Sequence, residues 1–484
     1  MNMVRPFMNL LIAAMLTATA GAATNRPNIV FILGDDIGYG DLGCYGATKI
    51  KTPNCDRLAR EGLRFTDAHS SSAMCTPSRY SLMTGEYAFR RKGTDVLSGG
   101  SALIIQPGRV TLPSLLKQEG YACGVVGKWH LGFGEKGADY NAELKPGPLE
   151  IGFDYAWILP ATGDRVPCVW VENRRVVKLD SADPIKLDLT VPRGDPRSYV
   201  NGIPRLGQQS GGAAALWKDD EIADVLAAKA VAFVETNRAK PFFLYLATHD
   251  IHVPRVPNAR FKGTSQAGVR GDTVHSFDCA VGQVLECLDR LKLEDNTIVI
   301  VSSDNGGVLD PNGPDKEHGG TVETNNGHPF NGSLRAGKAS LYEGGTRVPF
   351  IVRWPGHVPV GVSDALFCQV DMLGSVAALM GRQLPEGAGP DSENLLPVLL
   401  GAKEGRASLI EHAHGQLLAL REGTWKYIPA AGSGVKPVYG LMMEPQLYDL
   451  SQDIGETRNM AKEQPERAAR MQKMFEQQTE RREW

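Results

Sequence analysis

Four short apolar runs along the chain end abruptly in polar residues. NIVFIL runs into Gly34, Asp35 and Asp36, and CGVVG into Lys128, Trp129 and His130. FFLYLAT runs into His249, Asp250, Ile251 and His252, and TIVIVSS into Asp304, Asn305, Gly306 and Gly307. The runs are rich in β-branched residues and do not alternate, which suits strands buried on both faces. Helical patterns lie between them. TLPSLLKQEG opens on Thr111, carries Pro113 in its first turn and stops at Gly120. DDEIADVLAAKAVAFVETN sets Ile222, Val225, Leu226 and Phe233 along one stripe, and HSFDCAVGQVLECLDRL is similar. Strands alternating with helices predict an α/β fold around a large, mostly parallel sheet. In such sheets ligands sit beyond the carboxyl ends of the strands. The four polar strand ends are therefore expected along one edge.

From about residue 405 the pattern changes. ASLIEHAHGQLLALREGTWKYI alternates and is followed by EPQLYDLS, which predicts a small antiparallel sheet. PERAARMQKMFEQQTERR then places Ala468, Met471 and Phe475 at helical spacing. The organisation expected is a catalytic α/β domain over residues 23–404 and a small α+β subdomain over 405–484, with no internal repeat.

Residues 1–22 read as a secretory signal. Arg5 precedes the apolar stretch FMNLLIAAMLTA, and Ala20, Gly21 and Ala22 form a small-residue cleavage site. The apolar stretch is too short to span a bilayer comfortably, so an exported protein, periplasmic or secreted, with no membrane association is expected. At 484 residues, 42% hydrophobic and 22% charged, the chain has an ordinary globular composition. A formal net charge of −3 gives no global basic field for nucleic acid, so an anionic partner needs a local cationic cluster. Eight scattered cysteines show no metal-finger spacing. One or two disulfides are compatible with export. The sequence does not specify an oligomeric state.

Asp35 and Asp36 end one strand, and Asp304 and Asn305 end another. Adjacent carboxylates are costly unless a cation or proton compensates. Three carboxylates and an amide form an all-oxygen set that suits Ca²⁺ or Mg²⁺ better than zinc. In AMCTPSRYS, Thr76 reads as a helix cap, Pro77 as the first helical residue and Gly85 as the stop, with Arg79 four residues after Cys75. If the helix reaches back that far, Cys75 and Arg79 share a face, and the arginine and helix start favour an anion there. The wider Cys–Arg spacing of thiol phosphatases is absent. Lys128 and His130 sit two apart in GKWHLG, on one side of an extended segment. With His249 and Lys338 they supply cations and proton-transfer groups suited to a tetrahedral oxyanion.

These segments resemble the type I sulfatases of the alkaline-phosphatase-like superfamily. CTPSR and GKWHLG match the two family signatures, and RPNIVFILGDDIGYGDLGCYG, SSDNGG, GKASLYEGGTRVPFIVRWPG and LYDLSQDIGETRNMA follow in the family's order. The resemblance implies that Cys75 is oxidised to Cα-formylglycine by a formylglycine-generating enzyme, before folding hides the site. It implies that Asp35, Asp36, Asp304 and Asn305 bind calcium and that Arg79 supports the hydrated aldehyde. Lys128, His249 and Lys338 then hold the sulfate and assist the leaving oxygen, and His130 deprotonates the remaining hydroxyl. One hydroxyl of the hydrate attacks sulfur, and the second allows sulfate to be expelled with return of the aldehyde.

For the substrate, a sulfated glycan is expected by analogy alone. Asp164 and Arg165, in a variable loop, are weaker candidates for sugar contact, with ordinary surface residues as their alternative. His252, Arg255, His412 and His414 are similar candidates. Two rivals stand beside the sulfatase reading: a phosphonate monoester or phosphodiester hydrolase of the same superfamily, and a non-catalytic sulfated-glycan-binding protein with an unmodified Cys75.

Overall fold

The computed structural model describes residues 26–308, 325–432 and 436–480. The signal segment at residues 1–22 lies outside the described residues. No helix among the described residues is long and apolar enough to cross a membrane.

The main sheet has ten strands. In chain order they are β1 (Asn28–Gly34), β2 (Leu63–Phe65), β3 (Ala122–Lys128), β4 (Tyr155–Leu159), β5 (Val171–Glu172) and β6 (Arg175–Val176). β7 (Phe242–Ala247), β8 (Thr297–Ser303), β9 (Phe350–Arg353) and β10 (Gly361–Ser363) complete it. Across the sheet the order is β10-β2-β9-β8-β1-β7-β3-β4-β5-β6. The central strands β8, β1, β7, β3 and β4 are mutually parallel, and antiparallel pairs flank them.

Every residue of β1 is buried, and its two faces enter two different cores. Ile29, Phe31 and Leu33 meet one, with Leu82 and Met83 of α2 (Cys75–Thr84), Leu115 and Leu116 of α3 (Leu112–Gln118) and Leu373 of α6 (Met372–Leu379). Val30 and Ile32 meet the other, with Leu58 of α1 (Pro53–Glu61), Leu226 and Phe233 of α4 (Ile222–Asn237), and Phe277 and Val281 of α5 (Gly268–Leu291). Burial on both faces is why these strands show no alternation. It also makes them rigid mounts, since truncating such a core side chain to alanine costs about 2–5 kcal/mol.

Beyond residue 405, β11 (Ser408–His412), β12 (Leu418–Glu422), β13 (Trp425–Ile428) and β14 (Gln446–Asp449) form an antiparallel sheet. Helix α7 (Pro465–Thr479) covers it, with Met471 buried and Ala468 and Phe475 packed on the same core. The sheet is stitched to the segment ahead of Cys75: the Ala73 N–H donates to the His412 carbonyl at 2.7 Å.

An ion cluster lies at this seam, with Lys426, Glu343 and Glu411 buried and Asp67 at its edge. Lys426 meets Glu411 at 2.7 Å, Glu343 at 3.1 Å and Glu456 at 3.2 Å. Arg421 pairs with Glu343 and Asp67, each at 3.1 Å, and Arg347 with the same two at 2.6 and 2.8 Å.

None of the eight cysteines is paired with another, so the disulfides for which the sequence left room are not formed. Most of the thiols are buried in separate parts of the core rather than paired. Asn331, in an Asn-Gly-Ser sequon, is buried and accepts the Gly307 N–H at 2.9 Å.

Candidate active site

Helix α2 begins at Cys75 itself, with Met74 as its cap, rather than at Pro77 behind a Thr76 cap. The Thr76 hydroxyl is occupied elsewhere: it donates to the His130 carbonyl and accepts the Leu97 N–H. Pro77 is tolerated at the third helical position because N–H groups of the first turn have no helical partner. Gly85 ends the helix in a left-handed conformation, as expected. Cys75 and Arg79 therefore share a buried face one turn apart.

The strand ends converge. Lys128, the last residue of β3, meets both oxygens of Asp35 at 2.8 and 2.9 Å. Arg79 donates to Asp304 Oδ2 through Nε at 3.0 Å and a terminal nitrogen at 2.8 Å, and to the Lys128 carbonyl at 3.0 Å. Lys338 meets Asp36 Oδ1 at 2.6 Å, and Asn305 Nδ2 donates to the same oxygen at 2.7 Å. Oxygens of Asp35, Asp36 and Asp304 lie within 4.8 Å of one another. Asp36 Oδ2 and Asn305 Oδ1 are buried with no hydrogen-bond partner, so acceptors are left over at the centre of the cluster.

Three carboxylates thus face three permanent cations in a region shut off from water. Burial opposes ionisation of Asp35, but Lys128, His252, His249 and Arg79 outweigh it and hold this carboxyl well below the usual range. Asp36 is also lowered, against burial, chiefly by Lys338. Asp304 is raised, because burial and the neighbouring Asp35 and Asp36 charges exceed the pull of Arg79 and Lys128. Lys338 stays protonated beyond its ordinary range, since Asp36 more than offsets its burial.

The histidines fall into two settings. His130 has a left-handed backbone (φ 56°), so GKWHLG turns here instead of staying extended. Its Nε2 lies 2.9 Å from the Leu97 carbonyl and so carries the proton, leaving Nδ1 as a buried lone pair without a partner. Burial, Lys128 and Arg165 depress its pKa far below the normal histidine value, keeping it neutral. His249 Nδ1 lies 3.2 Å from Asp35 Oδ2, and its Nε2 accepts the Gly163 N–H at 3.1 Å. A Cβ at Gly163 would stand 2.3 Å from that nitrogen, so only glycine allows this approach. His252 stands beside the His249 ring, with Nε2 3.8 Å from Asp36. Burial lowers its pKa to about 4.

Asp164 and Arg165 are not ordinary surface residues. Asp164 is buried and accepts from the Thr162 hydroxyl and from Arg165, 3.1 Å away. Arg165, mostly buried, also donates to the Leu97 carbonyl at 2.7 Å, the atom that orients His130. Arg255 is buried against the Ile251 carbonyl, and His412 lies beneath the Cys75 segment through its backbone. His414 is exposed, and its N–H donates to the carbonyl of Ala339, the residue after Lys338, at 3.2 Å.

Several supporting residues escaped the sequence reading. Arg270 of α5 donates to the Asp36 carbonyl at 2.8 Å and pairs with Asp41, which His328 also meets at 2.9 Å. This brace holds Asp36 in its left-handed conformation (φ 64°). Gly306 lets the loop carrying Lys338 approach, because a Cβ there would lie 1.8 Å from the Gly344 oxygen. The clue to Asp41 was its place in the GDDIGYGD loop; Arg270 was one of several charges on its helix and carried no signal.

A buried cationic cluster around leftover oxygen acceptors suits a tetrahedral oxyanion bound with a hard cation. Comparison with known proteins agrees in kind. The sulfatase family model matches residues 27–382. An N-acetylgalactosamine-6-O-sulfatase of Bacteroides thetaiotaomicron is 45% identical over 482 residues, covering 94% of each chain. Human arylsulfatase A is 35% identical over 470 residues, covering 92% of this chain and 86% of its own. A solved structure described under metabolism of multiple glycosaminoglycans by Bacteroides thetaiotaomicron superposes with a TM-score of 0.90 at 44% identity, covering 94% of this chain and all of that one. The chain belongs to the sulfatase family and is a sulfate-ester hydrolase.

Proposed function

We propose that this sulfatase removes sulfate from a sulfated carbohydrate, with a 6-O-sulfated N-acetylhexosamine as the first substrate to try. Cys75 is converted to Cα-formylglycine by a formylglycine-generating enzyme, and Ca²⁺ sits among Asp35, Asp36, Asp304 and Asn305. The observation that carries this reading is the pair of partnerless buried oxygens, Asp36 Oδ2 and Asn305 Oδ1, inside the three-carboxylate cluster.

The donor set fits calcium. All four ligating groups offer oxygen, and Mg²⁺ more often keeps several waters than accepts such a protein cage. Asp35, His249 and His252 form a second group with metal-like spacing. There, however, both His249 nitrogens are engaged and His252 Nδ1 contacts the Val253 carbonyl, so the oxygen set is the better site. The setting of Cys75 also fits an anionic oxygen: the Arg79, Lys338 and Arg165 charges all act on it. When bound, calcium supplies fixed positive charge for the sulfuryl oxygens and the hydrated aldehyde supplies the nucleophilic hydroxyl.

The chain's own residues do the rest. Arg79, Lys128 and Lys338 balance the three carboxylates, so a divalent ion leaves the site net positive toward an anionic ester. Lys128 and Lys338 hold the sulfuryl oxygens. Lys338 and His249 serve the leaving oxygen, His249 through Nε2 once that atom gives up the Gly163 N–H, with its Nδ1 oriented by Asp35. His130 takes a proton at Nδ1, which its tautomer leaves free. Asp164, Arg165, His252 and His414 are the proposed sugar contacts. Residues 23–404 and 405–484 act as catalytic domain and subdomain, and residues 1–22 direct export, which requires Cys75 to be converted before folding buries it.

The test compares sulfate release from 6-O-sulfated N-acetylgalactosamine with hydrolysis of phosphate and phosphonate esters. The sulfated sugar should be turned over far faster, and Cys75→Ala should abolish that turnover. Preference for phosphate diesters, or full activity in C75A, would refute the proposal.

A further inference from the structure

At the rim of the site, two exposed rings hang directly from the loop that carries Lys338. The His414 N–H donates to the carbonyl of Ala339, the residue after Lys338, at 3.2 Å. The Tyr439 carbonyl accepts the N–H of Leu341, two residues further on, at 2.8 Å. The two rings meet edge to face, with centroids 5.0 Å apart.

The turn that carries His414 closes onto the opposite rim. Gln416 reaches Asp95 at 3.2 Å, two residues before Leu97, whose carbonyl orients both His130 and Arg165. The His414–Gln416 turn thus spans the mouth between two loops that carry the site. Its backbone is left-handed at Gly415 (φ 71°), where glycine meets no clash, and at Gln416 (φ 64°), where a side chain does. Tyr439 is left-handed too (φ 51°), an uncommon conformation for a bulky residue, yet the residue is 47% exposed. Burial of that ring therefore does not explain the conformation. Met442 and Met443 extend the apolar surface beside it and are also exposed.

We propose that Tyr439 and His414 form a stacking platform for the sugar ring adjacent to the sulfated residue, so that the enzyme favours sulfated oligosaccharides over sulfated monosaccharides. This rests on the carbohydrate reading above. Aromatic faces offer a rigid apolar surface for the C–H faces of a pyranose, while the Tyr hydroxyl stays in water. The distance suits a second sugar. Leu341 lies at most about 11 Å from Lys338 along the chain, roughly the reach of one sugar residue and its linkage beyond a bound sulfate.

The test measures kcat/KM for wild type, Tyr439→Ala, Tyr439→Phe and His414→Ala on a sulfated monosaccharide and on a disaccharide containing the same sulfated residue. Melting temperatures serve as the fold control. Y439A should lower kcat/KM on the disaccharide ~10-fold, chiefly through KM, and change the monosaccharide by no more than about twofold. Y439F should retain the wild-type preference, and H414A should fall between. An equal loss on both substrates, or none on the disaccharide, would overturn the platform while leaving the sulfatase reading intact. Failure of the wild type to desulfate either sugar would overturn the carbohydrate reading, and the platform with it.

Discussion

Lys426 is the most exacting place to test the energetics. Its ammonium is fully buried and is the shared partner of Glu343, Glu411 and Glu456. Lys426→Met keeps much of the side-chain volume and removes the charge. Arg421 and Arg347 remain, but they make their ion pairs at Glu343 and Asp67, so Glu411 keeps only His69, 3.4 Å away, and the Arg421 charge, while Glu456 loses its ion-pair partner. Breaking a buried ion pair in this way costs about 3–5 kcal/mol. An unfolding entropy of about 2.1 cal/mol/K per residue amounts to ~1 kcal/mol/K for a chain of this size. K426M should therefore melt ~3–5 °C lower by differential scanning calorimetry. The double variant Lys426→Met/Glu411→Gln should recover part of the loss, because one stranded charge is gone. An unchanged melting temperature in K426M, or no recovery in the double variant, would refute the reasoning.

Three further outcomes follow from the same structure. Burial, with Glu343 and Glu411 alongside, raises the Glu456 carboxyl to about 7 against the pull of Lys426. The folded state then binds the extra proton, so this group's stabilisation is complete below its unfolded pKa and fades as pH rises toward 7. Glu456→Gln should flatten that part of the stability profile, worth up to about 1.4 kcal/mol per pH unit, and an unaltered slope would contradict it. Chelating calcium should lower activity and melting temperature together, by about 2.7 kcal/mol of stability for an ion at a hundredfold excess over its Kd; activity indifferent to chelation would exclude the proposed metal site. Arg79→Lys keeps the charge but loses the fork that grips Asp304 and the Lys128 carbonyl. It should lower kcat by roughly 10²–10³ with the fold intact by circular dichroism, and near wild-type kcat would refute it.

The sequence made the strand ends legible because strands buried on both faces appear as unbroken apolar runs, and the polar residues at their carboxyl ends stand out against them. Asp35, Lys128, His249 and Asp304 were all readable in this way. The short strands toward the two ends of the sheet were not: β2, β5, β6 and β10 are two or three residues long and carry no periodicity. The start of α2 was misread because local capping preferences do not reveal that the Thr76 hydroxyl is taken by residues 97 and 130. The seam cluster escaped for a related reason. Lys426 and Glu411 sit in an alternating sheet where charged residues usually face water, and Glu343, which Lys426 also meets, lies far earlier in the chain. Only tertiary packing turns that polar face inward.

The chemistry turns on what stands at position 75. Peptide mass spectrometry across AMCTPSRYS, on protein purified from its native host, tests it most directly. The peptide should carry an aldehyde, trapped as a hydrazone by a carbonyl reagent, in place of the thiol. A peptide found only as unmodified cysteine, from protein that is active on sulfated sugar, would contradict it.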